Sequence, residues 1–300
     1  MSTLVNLIPV SSDLIWYFAI DIGIAIILLS AMWWVSSLLQ GGSATNELTK
    51  KDNFAYGISV AGRMLALCIV LVGAVMNSKT DDFLESTITI LTYGVIGIVL
   101  IKIGRFAHDK IILNRFDKEQ NIQDRNVAVA MVDASSSIAT ALIIQSVMLW
   151  AKGLDANAMI AVISGFFVTQ AILLTMTRIF ERRFSEHNRS GALQAALEKG
   201  QLAVAIQHSG NLLGTAMAVT ATGHMLEYLP HGYVSNVTSW FILGLGLAIT
   251  QAILAALSKR IVLYRVNLEQ EIDQQHNIGV ASIELTISLG IALILRGLLV

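Results

Sequence analysis

The segment Lys110-Ile111-Ile112-Leu113-Asn114-Arg115 recurs in this chain as Arg260-Ile261-Val262-Leu263-Tyr264-Arg265. A little further on, Glu119-Gln120-Asn121-Ile122 pairs with Glu269-Gln270-Glu271-Ile272. The apolar run after each block opens alike, Asn126-Val127-Ala128-Val129-Ala130 against Asn277-Ile278-Gly279-Val280-Ala281. Upstream, Asn53-Phe54-Ala55 with Gly62 corresponds to Gln201-Leu202-Ala203 with Gly210. The offset stays near 150 residues throughout, which chance likeness between apolar runs would not maintain. The chain therefore divides into two units, 1–150 and 151–300.

Composition says where these units live. Of the 300 residues 55% are hydrophobic and 14% charged, and the mean hydropathy is +0.67. Soluble domains carry about 25% charged residues, so lipid must be the solvent for much of this surface. A net charge of −1 gives no basic face for nucleic acid. Cys68 is the only cysteine, which excludes disulfide frameworks and cysteine-based metal clusters. It reads as a small buried hydrophobe. The stretch before Asp13 has neither the positive region nor the cleavage site of a secretory signal. The first apolar run is thus expected to remain as a helix.

A spanning helix needs about 20 mainly apolar residues. Eight stretches qualify, at 14–39, 54–76, 87–105, 127–150, 157–179, 202–226, 237–257 and 278–299. The expected fold is an all-α polytopic membrane protein of about eight transmembrane helices, arranged as two four-helix repeats. Four spans per unit make the repeats parallel, related by an axis along the membrane normal. The prolines Pro9 and Pro230 interrupt no span, so continuous helices are expected. Most Lys and Arg fall in the breaks after the odd-numbered spans, whereas the opposite breaks hold only Lys79, Lys152 and Arg296. The positive-inside rule then puts the basic end in the cytoplasm and both termini outside. On that topology Trp16, Trp150 and Trp240 form an outer aromatic belt.

An Asn-x-Ala helix start, a helix carrying Gly, a long loop and a second Asn-x-Ala helix together resemble a known family. It is the YjfL-like bacterial inner-membrane family called domain of unknown function (DUF) family 350. Its members usually carry one four-helix unit, and this chain looks like a tandem pair over nearly its whole length. The resemblance implies fold and an inner-membrane location, and carries no activity. Gln201 departs from the pattern at the position of the first Asn.

Ionisable groups inside a span cost roughly 2.5–3.5 kcal/mol each on insertion scales. Asp133 and its repeat mate Glu284 each lie seven residues into a span, about 10 Å deep at 1.5 Å per residue. Their surroundings recur, Asp133-x-Ser135-x-Ser137 against Glu284-x-Thr286-x-Ser288. Ser137 and Ser288 share a helix face with their acids. On the second helix of each half, Arg63, ten residues after Asn53, could reach Asp133; in the second half His208, seven residues after Gln201, is level with Glu284, and Asn211 is the equivalent of Arg63. The expected polar centres are therefore Asp133–Arg63 and Glu284–His208/Asn211. The first would be a fixed ion pair, since Arg keeps its proton, and the second could titrate near neutrality. Buried polar contacts also serve simply to hold helices together. Asn53, Asn126 and Asn277 sit at helix starts, where N-capping explains them and ligand contact is the alternative. Gly62 and the Gly210-x-x-x-Gly214 motif mark close helix approaches.

No Gly-rich phosphate loop, zinc HExxH or GxSxG elbow is present. Enzyme chemistry, metals and cofactors are accordingly not expected. Two function classes remain. One is an ion or proton-linked channel or transporter with a polar path at the repeat interface. The other is a non-transporting scaffold or envelope-stress component acting through its cytoplasmic loops. The expected partners are the lipid bilayer, a further copy of the chain in a homo-oligomer, and a cytoplasmic protein at loops 106–125 and 258–276, with Arg115 and Arg265 as contact residues. Nucleic acid is not among them.

Overall fold

The computed structural model describes residues 14–39, 44–78, 82–187 and 192–299. The stretch before Asp13, the polar residues 79–81 and Arg189 lie outside the described residues. Eight long helices form the body: α1 Leu14–Leu39, α2 Phe54–Asn77, α3 Phe83–Ile111, α5 Val127–Trp150, α6 Ala156–His187, α8 Leu202–Thr220, α10 Tyr233–Val262 and α11 Ile278–Leu298. Short helices connect them, α4 Lys118–Gln123, α7 Leu193–Glu198 and α9 Thr222–Met225, with single π-helical turns at Asn46–Lys50 and Gln270–Gln274. No strand occurs among the described residues.

Seven of the long helices are long and apolar enough to cross a membrane. The chain is an all-α, multi-pass membrane protein. The exception is α8, whose 19 residues include Gln207, His208, Ser209, Asn211 and Thr215. It ends at Thr220 and passes directly into α9, short of the expected 202–226. It packs between α5 and α11 with most of its side chains buried. Protein rather than lipid surrounds it, so its polar groups are kept out of the lipid hydrocarbon.

The inner helices α2, α5, α8 and α11 form a row in that order, each packed on the next. They run parallel: Gly62 lies against Ala134 and Gly73 against Gln145, while Gly210 and Gly214 lie against Leu285 and Ser288. The middle pair is tied at one end by Asn126 to the Leu197 carbonyl, and at the other by Ser146 to that of Thr220. The glycines are where the helices come closest. A Cβ on Gly62 would sit 2.4 Å from Ala134, and one on Gly210 would sit 2.6 Å from Leu285.

All four inner helices begin alike. The residue before each cap has a left-handed φ, at 49° for Asp52, 67° for Arg125, 77° for Gly200 and 53° for His276. A short helical turn precedes it, and the cap residue's amide closes that turn. Asn53 N–H donates to the Glu47 carbonyl at 2.9 Å, Asn126 to Asn121 at 2.9 Å, Gln201 to Ala196 at 3.1 Å and Asn277 to Glu271 at 2.8 Å. The repeat is therefore finer than two units. Each unit is two helical hairpins, in which an outer helix (α1, α3, α6 or α10) leads through a short turn into a capped inner helix.

The outer helices brace this row. Ile24, Leu28 and Met32 of α1 pack on Leu67, Leu71 and Ile90. Helices α3 and α10 run beyond their expected ends, so the loops at 106–125 and 258–276 are partly helix. Segment 106–125 is not simply solvated, for Ile112, Leu113, Lys118 and Ile122 are buried. Trp16 is exposed, as a belt residue would be, but Trp150 and Trp240 are buried. Their rings meet edge to face at 5.5 Å, and Trp150 Nε1 donates to the Leu226 carbonyl at 3.1 Å. These two close the end of the bundle instead of facing lipid headgroups, because α9 and the start of α10 fold over them.

Candidate functional site

Position along the inner helix sets the depth of the polar residues. Val60, Asp133, His208 and Glu284 each stand seven residues after the cap of their helix, so they share one level of the row. Asp133 and Glu284 are both almost fully buried.

Around Asp133 the site is filled. Its Oδ1 accepts from Arg105 Nη2 at 2.8 Å, from Arg105 Nε at 3.1 Å and from Lys118 Nζ at 2.8 Å. Its Oδ2 accepts from Ser59 Oγ at 2.5 Å. Lys118 also holds Asp109 at 2.6 Å, and Arg105 Nη2 lies 3.8 Å from Glu119. The partner inferred from depth, Arg63, makes no bond to Asp133. It is buried nearby with Nε and Nη2 unpartnered. The reason is geometric: α4 folds back under the bundle and carries Lys118 to the carboxylate first. Ser137 shares the face of Asp133 but bonds its backbone carbonyl at 2.9 Å, leaving the carboxylate to the cations.

Around Glu284 the site is open. Its Oε2 accepts from Gln207 at 2.7 Å, and Lys259 Nζ stands 3.4 Å away. Lys259 reaches Asn211 Oδ1 at 3.3 Å. Asn211 thus touches the acid through the lysine. His208 does not bond Glu284; its ring faces His108 across the junction of the units at 6.1 Å. His108 Nδ1 and Nε2 and His208 Nε2 have no hydrogen-bond partner, and neither does Ser288 Oγ. A cavity of about 530 Å³ opens beside this group, lined by Gln207, His208, Asn211, Arg260, Glu269 and Glu284 among others. That lies within the usual range for small-molecule sites, roughly 300–1,000 Å³.

Substitutions in the repeat set the two centres apart. In the register that pairs Lys110 with Arg260, Ala255 stands where the first unit has Arg105, Leu268 where it has Lys118, and Lys259 where it has Asp109. Two cations that fill the first centre are absent from the second. Ser59 and Gln207 are likewise repeat mates, and each donates to the acid of its own unit. Sequence reading missed Arg105, Lys118, Ser59, Gln207 and Lys259 as site residues. No local spacing marks Arg105 or Lys118, because both reach the acid only through the way α3 and α4 fold against α5.

Asn53, Asn126 and Asn277 accept from the amides of Tyr56, Val129 and Val280 at 3.0, 3.1 and 3.1 Å. Their amide groups also work sideways. Asn53 Nδ2 donates to the carbonyls of Ile122 and Gln123, and Asn126 Nδ2 to those of Leu197 and Glu198. Asn53 and Asn126 therefore cap one helix and tie it to the turn that leads into the next, while Asn277 Nδ2 donates to Glu271 Oε2 of its own turn at 2.8 Å. Outside the bundle, Lys51 and Asn53 bond the Glu47 carboxylate and hold its pKa below the ordinary value of 4.5. No group of three His, Cys, Asp or Glu side chains able to hold a metal occurs among the described residues.

Two successive stretches, 7–148 and 153–299, each match the family model described as Domain of Unknown Function (DUF350). The chain belongs to the DUF350 family. It carries the DUF350 unit twice, in tandem, and the boundary falls in the short turn between α5 and α6. No curated protein and no solved structure matches the chain. Each DUF350 unit here contains two hairpins and a buried acid seven residues into its last inner helix, Asp133 or Glu284, and of these two Glu284 lines a cavity.

Proposed function

We propose that this protein is an ion- or proton-linked membrane transport protein whose binding group is Glu284. The observation that carries the reading is the contrast between the centres. Asp133 is neutralised in place by Arg105 and Lys118 at 2.8 Å. Glu284 has one ammonium at 3.4 Å and a cavity beside it. An intramembrane carboxylate next to open space is the arrangement in which a cation or proton can be exchanged.

Further support comes from the junction of the units. Thr140, Ser209 and Thr215 are also buried in the inner helices without hydrogen-bond partners for their hydroxyls. Buried hydroxyls of this kind are what a file of water or an ion would satisfy. The facing imidazoles of His108 and His208 add groups able to relay a proton between the units. On the positive-inside rule the cavity opens to the cytoplasm of a bacterial inner membrane. In this reading Asp133 is a structural anchor and Glu284 the exchanging group. A scaffold acting through the loops is the weaker reading, because segment 106–125 is already engaged within the chain: Gln194 accepts from Arg115 N–H at 2.9 Å and donates to Asn114 at 3.2 Å.

The test is flux of protons and monovalent cations into proteoliposomes. Glu284→Gln is expected to fold and to lose flux or its pH dependence. Flux equal to wild type in that variant removes the proposal.

A further inference from the structure

One contact repeats along the central row with a fixed sense. Let the cap residues Asn53, Asn126, Gln201 and Asn277 be position 0 of their helices. Position 9 of one helix then lies on position 8 of the next, as Gly62 on Ala134 and Gly210 on Leu285. Position 20 meets position 19: Gly73 lies against Gln145, and Ser146 Oγ donates to the Thr220 carbonyl at 2.9 Å. At the capped end, the Asn53 amide donates to Ile122 and Gln123, and the Asn126 amide to Leu197 and Glu198, at 2.9–3.2 Å. Those acceptors are the fourth and third residues before the next cap. Each inner helix thus presents a leading face to the trailing face of its successor.

The row stops at α11, and both of its ends carry this contact surface without a partner. The leading face of α5 is buried, with Ile143 1% and Val147 0% exposed. The matching residues of α11, Ile294 and Leu298, are 60% and 75% exposed. On the trailing side, Thr220 of α8 is 3% exposed while its counterpart Val72 of α2 is 51% exposed. Lipid would account for bare apolar side chains, but not for the small residues among them. Positions 9, 13 and 20 are Ser135, Ala139 and Ser146 in α5, where a helix packs on them, and Thr286, Gly290 and Gly297 in α11, where none does. A Cβ on Gly290 or Gly297 would meet nothing within 4 Å. Such residues let helix backbones approach in lipid. The outer helices repeat the pattern. Val147 fills the space over Gly165 of α6, whereas Gly23 of α1 has nothing over it.

We propose that the chain associates head to tail with a second copy of itself in the membrane plane. The leading face of α11 seats on the trailing face of α2 in the next molecule, as α5 seats on α8 within one chain. Thr286 then lies on Ala61, and the Asn277 amide reaches the carbonyls of Thr49 and Lys50 of the neighbour. The contact is heterologous, so it propagates into a ring or an open row according to the angle per step. Because the units are parallel, both copies keep the same orientation in the bilayer. This inference is independent of the transport reading.

The chain supplies half of its own test. Cys68, the only cysteine, stands at position 15 on the trailing face of α2, and position 16 on α11 is Leu293. A disulfide needs Cα atoms roughly 4.4–6.8 Å apart, which the proposed contact provides between molecules. Leu293→Cys in native membranes, treated with copper phenanthroline, is expected to shift from monomer to disulfide-linked dimer and higher multiples. The shift should reverse on reduction and vanish when Cys68→Ser is added. Ile253→Cys, on the exposed face of α10, serves as the control for random collision. Ala61→Cys with Thr286→Cys in a Cys68→Ser chain tests the same contact independently of Leu293. Monomer in both designs, or cross-linking no faster than in Ile253→Cys, overturns the proposal.

Discussion

Lys118 Nζ stands 2.8 Å from Asp133 Oδ1, with both side chains buried. The lysine belongs to a six-residue helix and reaches the acid from beneath the bundle. Breaking a buried ion pair by removing one partner costs about 3–5 kcal/mol, because a charge is left without compensation. Asp133→Asn removes the carboxylate that Arg105 and Lys118 share, leaving Asp109 and Glu119 as their remaining acids, so a loss toward the lower end of that range is expected in thermal unfolding of the detergent-solubilised protein. Glu284→Gln is expected to cost less, about 1–2 kcal/mol, since one distant ammonium and a cavity adjoin it. Equal destabilisation by the two variants would contradict the division of roles between the centres.

The glycines of the row separate by neighbourhood. A Cβ at Gly62 would overlap Ala134 at 2.4 Å, with backbone as well as side chain in the way. Gly62→Ala is therefore expected to lower stability by about 1–3 kcal/mol, the usual cost of overpacking. Gly290→Ala, with open space around it, is expected to leave the isolated chain's unfolding unchanged or slightly strengthened, since alanine favours helix. Paired melting curves decide this.

The caps should differ in strength by their second set of bonds. Asn126→Ala removes a cap and two donated bonds to the turn before α8. The cap alone is worth about 1 kcal/mol, and each lost bond adds to it. Gln201 makes no side-chain cap bond, so Gln201→Ala should be nearly neutral. Hydrogen exchange at the first turns of α5 and α8 would read the difference directly.

Glu47 supplies a pH dependence. Lys51 and Asn53 lower its folded pKa below the ordinary 4.5. Its contribution to stability is complete above the unfolded value and is lost as pH falls through the folded one. Acid titration of unfolding should therefore show a Glu47-dependent loss only below about pH 4.5. In Glu47→Gln that component should be missing, while stability at neutral pH is slightly lower than in wild type.

Much of this molecule was legible before any coordinates. Spans show because about 20 apolar residues in a row are a local property, and the 110–115 and 260–265 segments carry the repeat in plain letters. The fourfold hairpin was also present in the sequence, at Asn53, Asn126, Gln201 and Asn277. It went unread because two of its helix starts lie inside each unit, where self-comparison between halves does not look. The buried acids were visible for the same reason as the spans: charge inside an apolar run stands out wherever it occurs.

The partners of those acids were not visible. Depth along a helix is fixed by 1.5 Å per residue, and it gives only the level at which Asp133 and Arg63 stand. Which cation closes on a carboxylate depends on how a short helix folds back and which side chain arrives first, and only tertiary packing decided for Lys118 and Arg105. Packing likewise buried Trp150 and Trp240 and opened the cavity at Glu284. It also turned α8, too polar to read as a lipid-facing span, into the middle of the row. Sequence alone determined the membrane class, the repeat and the depth of each polar group, because these follow from local spacing. Pairing, enclosure and the directional contact from one inner helix to the next came from the three-dimensional arrangement, because each joins residues that local spacing does not relate.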